Sequence, residues 1–147
     1  MLNNIILASK SKVRKDILEK NDIYCNVEPS NVDEDMVKKS LLGEKASPEI
    51  ISKNLAELKA NKVSSKNYEQ IVLGADSVID LDGELISKPQ DRKEALLILK
   101  KLNAREHHLI SSVCISKNGS MIWNYTDKAK LKMRNFTNKE LEDYLAK

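Results

Sequence analysis

Aromatic side chains are scarce in this sequence: one Trp, one Phe and four Tyr among 147 residues. The interior must therefore be built mainly from Ile, Leu, Val and Ala. No basic run is interleaved with aromatics, which argues against a stacking platform for nucleic-acid bases. Cysteine is scarcer still. Cys25 and Cys114 stand alone without CxxC spacing, which predicts buried, reduced thiols and a cytoplasmic location rather than a disulfide framework. An excess of one charge is missing too. With 25 basic and 22 acidic residues the net charge is +3, too even to imply a nucleic-acid partner. Near the N-terminus the apolar stretch Ile5-Ile6-Leu7-Ala8 is cut off by Ser9 and Lys10. It is far short of a signal core or a membrane span, so no membrane association is expected. Internal repeats, low-complexity segments and domain linkers are also lacking. What is present, 41% hydrophobic and 32% charged residues, suits one soluble domain able to bury a core of its own.

The pattern along the chain predicts alternating strands and helices. Asn4 to Ala8 reads as a short buried strand, followed by the polar turn Ser9-Lys10-Ser11. Lys12 to Lys20 reads as a helix with Val13, Ile17 and Leu18 on one face. Ile23 to Val27 is a second strand, and Asp33-Glu34-Asp35 an acidic loop. Ser47-Pro48 is a helix start with a capping hydroxyl and proline in the first turn. Ile51, Leu55 and Leu58 carry that helix to about Lys62. Ile71-Val72-Leu73 predicts a strand ending at Gly74. Asp82-Gly83 joins Val78–Leu81 to Glu84–Ile86 as a hairpin. Asp91 and Glu94 open a third helix lined by Ala95, Leu96, Leu99 and Leu102. Strands are expected at Leu109–Ser116, Ser120–Asp127 and Ala129–Met133, the first two joined by Asn118-Gly119. Thr137 and Glu140 form the capping box of a last helix. This order predicts an α/β domain with a mixed central sheet flanked by helices.

Several places could carry chemistry. Ser9, Ser11 and Arg14 surround a strand-to-helix turn, whose free N–H groups and positive dipole end suit phosphate. On residues alone, a helix cap with surface cations is the plainer reading. The absence of a Gly-rich fingerprint or GK[ST] excludes a Walker-type loop. Gly74-Ala75-Asp76-Ser77 places a carboxylate at the end of an apolar strand. Asp76 could bind a metal, take a proton from water, or only cap a turn. Lys59 and Lys88, taken singly, read as solvated charges, and so do the acidic residues around Glu34. Asp80-Leu81-Asp82-Gly83-Glu84 fails the register of an EF-hand. His107 and His108, adjacent on a strand, point to opposite faces and cannot share a metal. No nucleophile-elbow pattern supports Ser/His/Asp catalysis.

Together these pieces closely resemble the Maf family. Ile6 to Arg14 resembles its ILASxSPRR box, Asp33-Glu34 its VDE box, and Leu55-Ala56-Glu57-Leu58-Lys59-Ala60 its LAxxKA helix. Leu73-Gly74-Ala75-Asp76-Ser77-Val78 is similar to GADTVV. Asp82-Gly83 with Lys88-Pro89 resembles DGxxxxKP, and Leu102 to Ser111, with His107, resembles LSGxxHxVxT. Each box alone is weak; six in order with matching spacing are specific.

The resemblance implies a Maf/ITPase-like fold over a single domain, 1–147. That domain is expected to be C-terminally short, lacking an AGxY...Q-G segment that helps recognise substrate. It implies hydrolysis of a nucleoside triphosphate to monophosphate and pyrophosphate, as a house-cleaning enzyme. Asp76 would be the catalytic base. Ser9, Ser11, Arg14, Lys59 and Lys88 would bind phosphates. A divalent cation, magnesium or manganese, would be held by Glu34 and Asp76. Val13 and Ser77 occupy positions tied to nucleotide choice. Val13 stands where the family's pyrimidine-specific branch has Arg, which implies a weaker preference for dTTP and UTP. Lys12 for Pro and Asn103-Ala104 for Ser-Gly are further departures. Two other readings remain: a nucleotide-binding regulator of cell division without turnover, and an inactive truncated remnant. A homodimer is compatible with the pattern, and an exposed strand edge and apolar surface are expected.

Overall fold

The computed structural model describes residues 5–147. Asn4, the first residue of the expected opening strand, lies outside them. One mixed sheet of six strands organises the described residues. β1 (Ile5–Leu7) runs parallel to β2 (Cys25–Val27) and to β3 (Val72–Leu81). β3 pairs antiparallel with β4 (Glu84–Ile86) and with β5 (Glu106–Lys117), and β5 pairs antiparallel with β6 (Ser120–Lys132). The order across the sheet is β2-β1-β3-β5-β6, with β4 pairing β3 off this path. The helices are α1 (Lys12–Lys20), α2 (Glu34–Gly43), α3 (Pro48–Ser64), α4 (Arg92–Leu102) and α5 (Asn138–Leu145). None is long and apolar enough to cross a membrane.

The close packing of α3 on the sheet sets the rest. Ser47 caps α3 by accepting from the Ile50 N–H, and Pro48 fills its first turn. Its buried stripe is Ile51, Ser52, Leu55, Ala56, Lys59, Ala60 and Val63. The expected stripe included Leu58, which is 41% exposed. The stripe is turned toward Lys59 because small residues, Ala56 and Ala60, must face the sheet. They face Gly74: a Cβ there would lie 2.4 Å from the Ala56 carbonyl oxygen and 2.8 Å from the Ala60 nitrogen. Ile6, Ala8, Ala56, Ala60, Val63, Val72 and Cys114 form the core at this contact. Cys114 is buried and Cys25 half-buried, and both are free.

Strand boundaries depart from expectation in one informative way. The segments Ile71–Leu73 and Val78–Leu81 are one continuous strand, β3, running through Gly74-Ala75-Asp76-Ser77. Likewise Ser120–Asp127 and Ala129–Met133 merge into β6. Polar residues interrupted the apolar pattern, but the ladder to β5 holds unbroken from Val72↔Ser116 to Asp80↔His108. Pairing supplies what side-chain pattern did not. Both hairpin turns are as expected. Asp82 (φ 50°) and Gly83 (φ 91°), like Asn118 (φ 52°) and Gly119 (φ 82°), hold the left-handed conformations that a two-residue hairpin needs. The capping box of Thr137 and Glu140 is present on α5.

Two other expectations change. The acidic segment is not a loop: Asp33 caps α2 by accepting from the Met36 N–H, and Glu34 and Asp35 form its acidic first turn. Carboxylates there complement the helix dipole. The apolar face of α1 is not buried, since Val13 is 67% and Ile17 55% exposed. Between α1 and the sheet lies an apolar cleft of about 270 Å³, lined by Ile17 and Leu18 on one side and Leu73 and Val113 on the other. β6 is almost wholly exposed, with Trp123 and Tyr125 stacked at 6.2 Å between ring centroids.

The glycine contact gives a direct test. Gly74→Ala must push α3 off β3 and should lower stability by about 1–3 kcal/mol, the usual cost of overpacking. Gly43, where an added Cβ meets nothing within 4 Å, is the control. Gly43→Ala should leave the urea midpoint unchanged or raise it. Equal midpoints for the two variants would contradict this packing.

Candidate active site

β1 ends at Leu7 and hands the chain to Ser9-Lys10-Ser11. Ser11 caps α1, its Oγ accepting from the Arg14 N–H at 3.3 Å. Ser9 is buried, and its Oγ accepts from Ser11 N–H at 3.1 Å and from Arg14 Nη1 at 3.1 Å. The two hydroxyls therefore fix Arg14 by both its backbone and its guanidinium. The turn is a cap, as the plainer reading held. It also points a cation into a cleft of about 460 Å³ lined by Ser9, Ser11, Arg14, Ser30, Glu34, Lys59 and Lys88.

A second cleft of about 440 Å³ shares Arg14, Glu34, Lys59 and Lys88 and adds Lys38, Asp76 and Ser77. The four shared side chains make the two clefts halves of one groove. Seven expected residues thus meet: Ser9, Ser11, Arg14, Lys59 and Lys88 with Glu34 and Asp76. Ser77 lines the Asp76 half, and its Oγ lies 3.1 Å from that of Ser111. Val13 is not among the residues lining either half.

Lys59 sits at the junction. It is 8% exposed, and its Nζ donates to the Ala75 carbonyl and to Asp76 Oδ1, each at 3.2 Å. The same ammonium pairs with Glu34 from α2. It is therefore no solvated charge. A buried ammonium needs such partners, because unpaired burial of a charge costs far more than it can recover. Asp76, 6% exposed, keeps its other oxygen, Oδ2, buried and without a hydrogen-bond partner among the described residues. Burial raises the Asp76 carboxyl above its ordinary value; Lys59 opposes this by its charge and hydrogen bond, Glu34 reinforces it, and Lys38 weakly opposes it. The result is a basic carboxylate with one oxygen anchored and the other free.

The fit to a divalent cation rests on the two carboxylates of the groove, Glu34 and Asp76. Magnesium is held by one or two carboxylates plus substrate phosphates, so two carboxylates beside a cation-lined groove match its donor preference. Sequence reading missed Lys38, Ser30 and the network behind Asp76. In that network Ser52 donates to the Asp76 carbonyl at 3.2 Å and lies 2.9 Å from Ser112 Oγ. The signal for Lys38 was present: with Asp33 read as a cap, Glu34 and Lys38 fall one turn apart on the same helix face.

The Maf-like protein family model matches residues 4–147. A nucleoside triphosphate pyrophosphatase from Pelagibacter ubique is 71% identical over 147 residues, covering 100% of this chain and 75% of that protein. One from a Ruegeria species is 39% identical over 145 residues, covering 99% of this chain and 73% of the relative. Among solved structures, a HAM1 protein from Coxiella burnetii superposes with a TM-score of 0.57 at 15% identity, over 90% of this chain and 72% of that one. A nucleoside-triphosphatase (dITP/XTP pyrophosphatase) from Mycobacterium abscessus gives 0.54 at 13% identity, over 88% and 72%. These likenesses show the fold, with the mixed sheet and flanking helices expected from the sequence.

Asp76 also sets a stability signature. Its carboxyl titrates above the unfolded value, so in the window between the two the native state binds more protons. Stability therefore falls as pH rises through that window, and at neutral pH the ionised, ill-solvated carboxylate is a net cost. Subtracting the stability-against-pH profile of Asp76→Asn from that of the wild type, each followed by urea unfolding, should leave a curve that falls as pH rises through that window. A difference that is flat or rises there would contradict this.

Proposed function

As the chain belongs to the family of Maf-like proteins, we propose that it is a nucleoside triphosphate pyrophosphatase, hydrolysing its substrate to the monophosphate and pyrophosphate. The observation that carries this reading is the junction of the groove. There a buried carboxylate with one free oxygen stands beside Arg14, Lys59 and Lys88.

The chemistry follows from that arrangement. The triphosphate lies along the groove, its charge met by Arg14, Lys59 and Lys88, with Ser9 and Ser11 completing the turn that holds Arg14. Water attacks the α-phosphorus and gives its proton to Asp76 Oδ2. The bond from the α-phosphorus to the bridging oxygen breaks, and pyrophosphate leaves. Burial raises the proton affinity of Asp76 toward what a general base needs, and Lys59 keeps Oδ1 occupied so that Oδ2 does the work. Glu34 and Asp76 are the residues that would hold a magnesium or manganese ion, which when bound neutralises charge developing on the phosphates. Arg14 is presented by a capped helix start and Lys59 by a packed helix, so the donors need no reorganisation when charge develops.

Specificity rests on fewer contacts. Ser77 offers the groove a small hydroxyl from β3, and Val13, exposed on α1, does not reach its lining. Neither supplies a charged fork. The substrate's place is the cytosol, where triphosphates accumulate. A homodimer would cover the open face beside β6.

Asp76→Asn keeps the shape and removes the base. Pyrophosphate release should fall by about a hundredfold or more, the size associated with losing a general base. Wild-type turnover in that variant would remove Asp76 from the mechanism. In a nucleotide panel, dTTP and UTP should not stand out; strong selectivity for those two would contradict the reading of Val13.

A further inference from the structure

The groove holds a cation for which the reaction so far has no use. Lys38 lines the Asp76 half together with Arg14, Lys59 and Lys88. α2 carries it there by the same geometry that directs Glu34: the two are four residues apart and share a helix face. Glu34 spends its charge on Lys59. Lys38 is half-buried and, among the described residues, makes no ion pair and no side-chain hydrogen bond.

A lysine on a surface helix normally reaches into water or toward a carboxylate; its neighbour Lys39 is exposed and lines neither half of the groove. Lys38 lines the Asp76 half of the groove, near enough for its charge to favour the Asp76 carboxylate but bonded to neither carboxylate, in a wall where cations outnumber carboxylates. Four cations there confront two carboxylates, and both carboxylates are bound to Lys59. With Lys38 added to Arg14, Lys59 and Lys88, the groove carries more positive charge than Glu34 and Asp76 offset, and an arriving anion relieves the excess. A strongly charged polyphosphate is the ligand that relieves it.

We propose that Lys38 is a further phosphate-binding side chain of this site, pairing from α2 with the phosphate that water attacks beside Asp76. The inference rests on the pyrophosphatase reading for the identity of that phosphate, but its binding role can be tested apart from turnover. α2 then contributes two groups with distinct tasks. Glu34 anchors Lys59, and Lys38 one turn later meets the substrate. Lys59, shared between two carboxylates, is a weaker phosphate ligand than its position suggests, and Lys38 supplies the charge that Lys59 withholds.

The test uses the wild-type chain, Lys38→Gln, Lys38→Arg and, as control, Lys39→Gln. Binding of inorganic tripolyphosphate is measured by calorimetry, pyrophosphate release by a coupled assay, and the unfolding temperature by scanning calorimetry. Lys38→Gln should bind tripolyphosphate about ten- to a hundredfold more weakly, as expected for losing a hydrogen bond between charged groups. Its KM should rise correspondingly, while its unfolding temperature stays at or above that of the wild type. Lys38→Arg should recover most of the affinity, and Lys39→Gln should behave as wild type. Unchanged tripolyphosphate affinity in Lys38→Gln would overturn the proposal. So would equal losses in Lys38→Gln and Lys39→Gln, which would indicate general surface charge. If the wild type released no pyrophosphate while the tripolyphosphate loss in Lys38→Gln persisted, the pyrophosphatase reading would fail and the anion-binding role of Lys38 would stand.

Discussion

A single buried ammonium, that of Lys59, holds the groove side of this molecule together. It ties α3 to β3 through the Ala75 carbonyl and Asp76, and it ties α2 to both through Glu34. The charge can sit there only because α3 lies close to the sheet, and α3 lies close because Gly74 has no side chain to meet Ala56 and Ala60. Packing and electrostatics are one constraint here. Lengthen the helix-to-sheet distance and Lys59 no longer reaches its partners. Remove its partners and a charge is left buried without compensation.

From this constraint the site's asymmetry follows. One oxygen of Asp76 is consumed by Lys59 and the other is left without a donor in a buried position. Unsatisfied buried polar atoms are uncommon in folded proteins, and one at the wall of a groove is a place where binding can repay the desolvation already incurred. The serine network behind the strand fixes the backbone of the same residue. The protein therefore spends stability on a carboxylate that is poorly solvated and well positioned, the trade expected where a group must act as a base.

Much of this was legible in the residues. The helix Lys12–Lys20, the capped start at Ser47-Pro48, the two hairpin turns and the Thr137–Glu140 box all rest on local chemistry, and local chemistry is what a sequence displays. The candidate site residues are recognisable through six ordered boxes, whereas taken singly Lys59 and Lys88 read as solvated charges; Lys59 is buried, and Lys88 is exposed where it lines the groove. What escaped notice depended on distant contacts. β3 runs through Asp76 because β5 pairs with it along its whole length. Lys59 is buried because Gly74, fifteen positions away in sequence, admits the helix. The three acidic residues Asp33-Glu34-Asp35 suggest a solvated loop. In the fold those residues cap a helix and complement its dipole, and with the helix unrecognised Lys38 could not be placed.

The central claim is that water attacks the α-phosphorus with Asp76 taking its proton. Hydrolysis in ¹⁸O-enriched water tests it most directly, with the products separated and weighed by mass spectrometry. The account predicts the heavy oxygen in the nucleoside monophosphate and unlabelled pyrophosphate. Label in pyrophosphate, or release of labelled orthophosphate, would place the attack on another phosphorus and contradict the assignment of the groove.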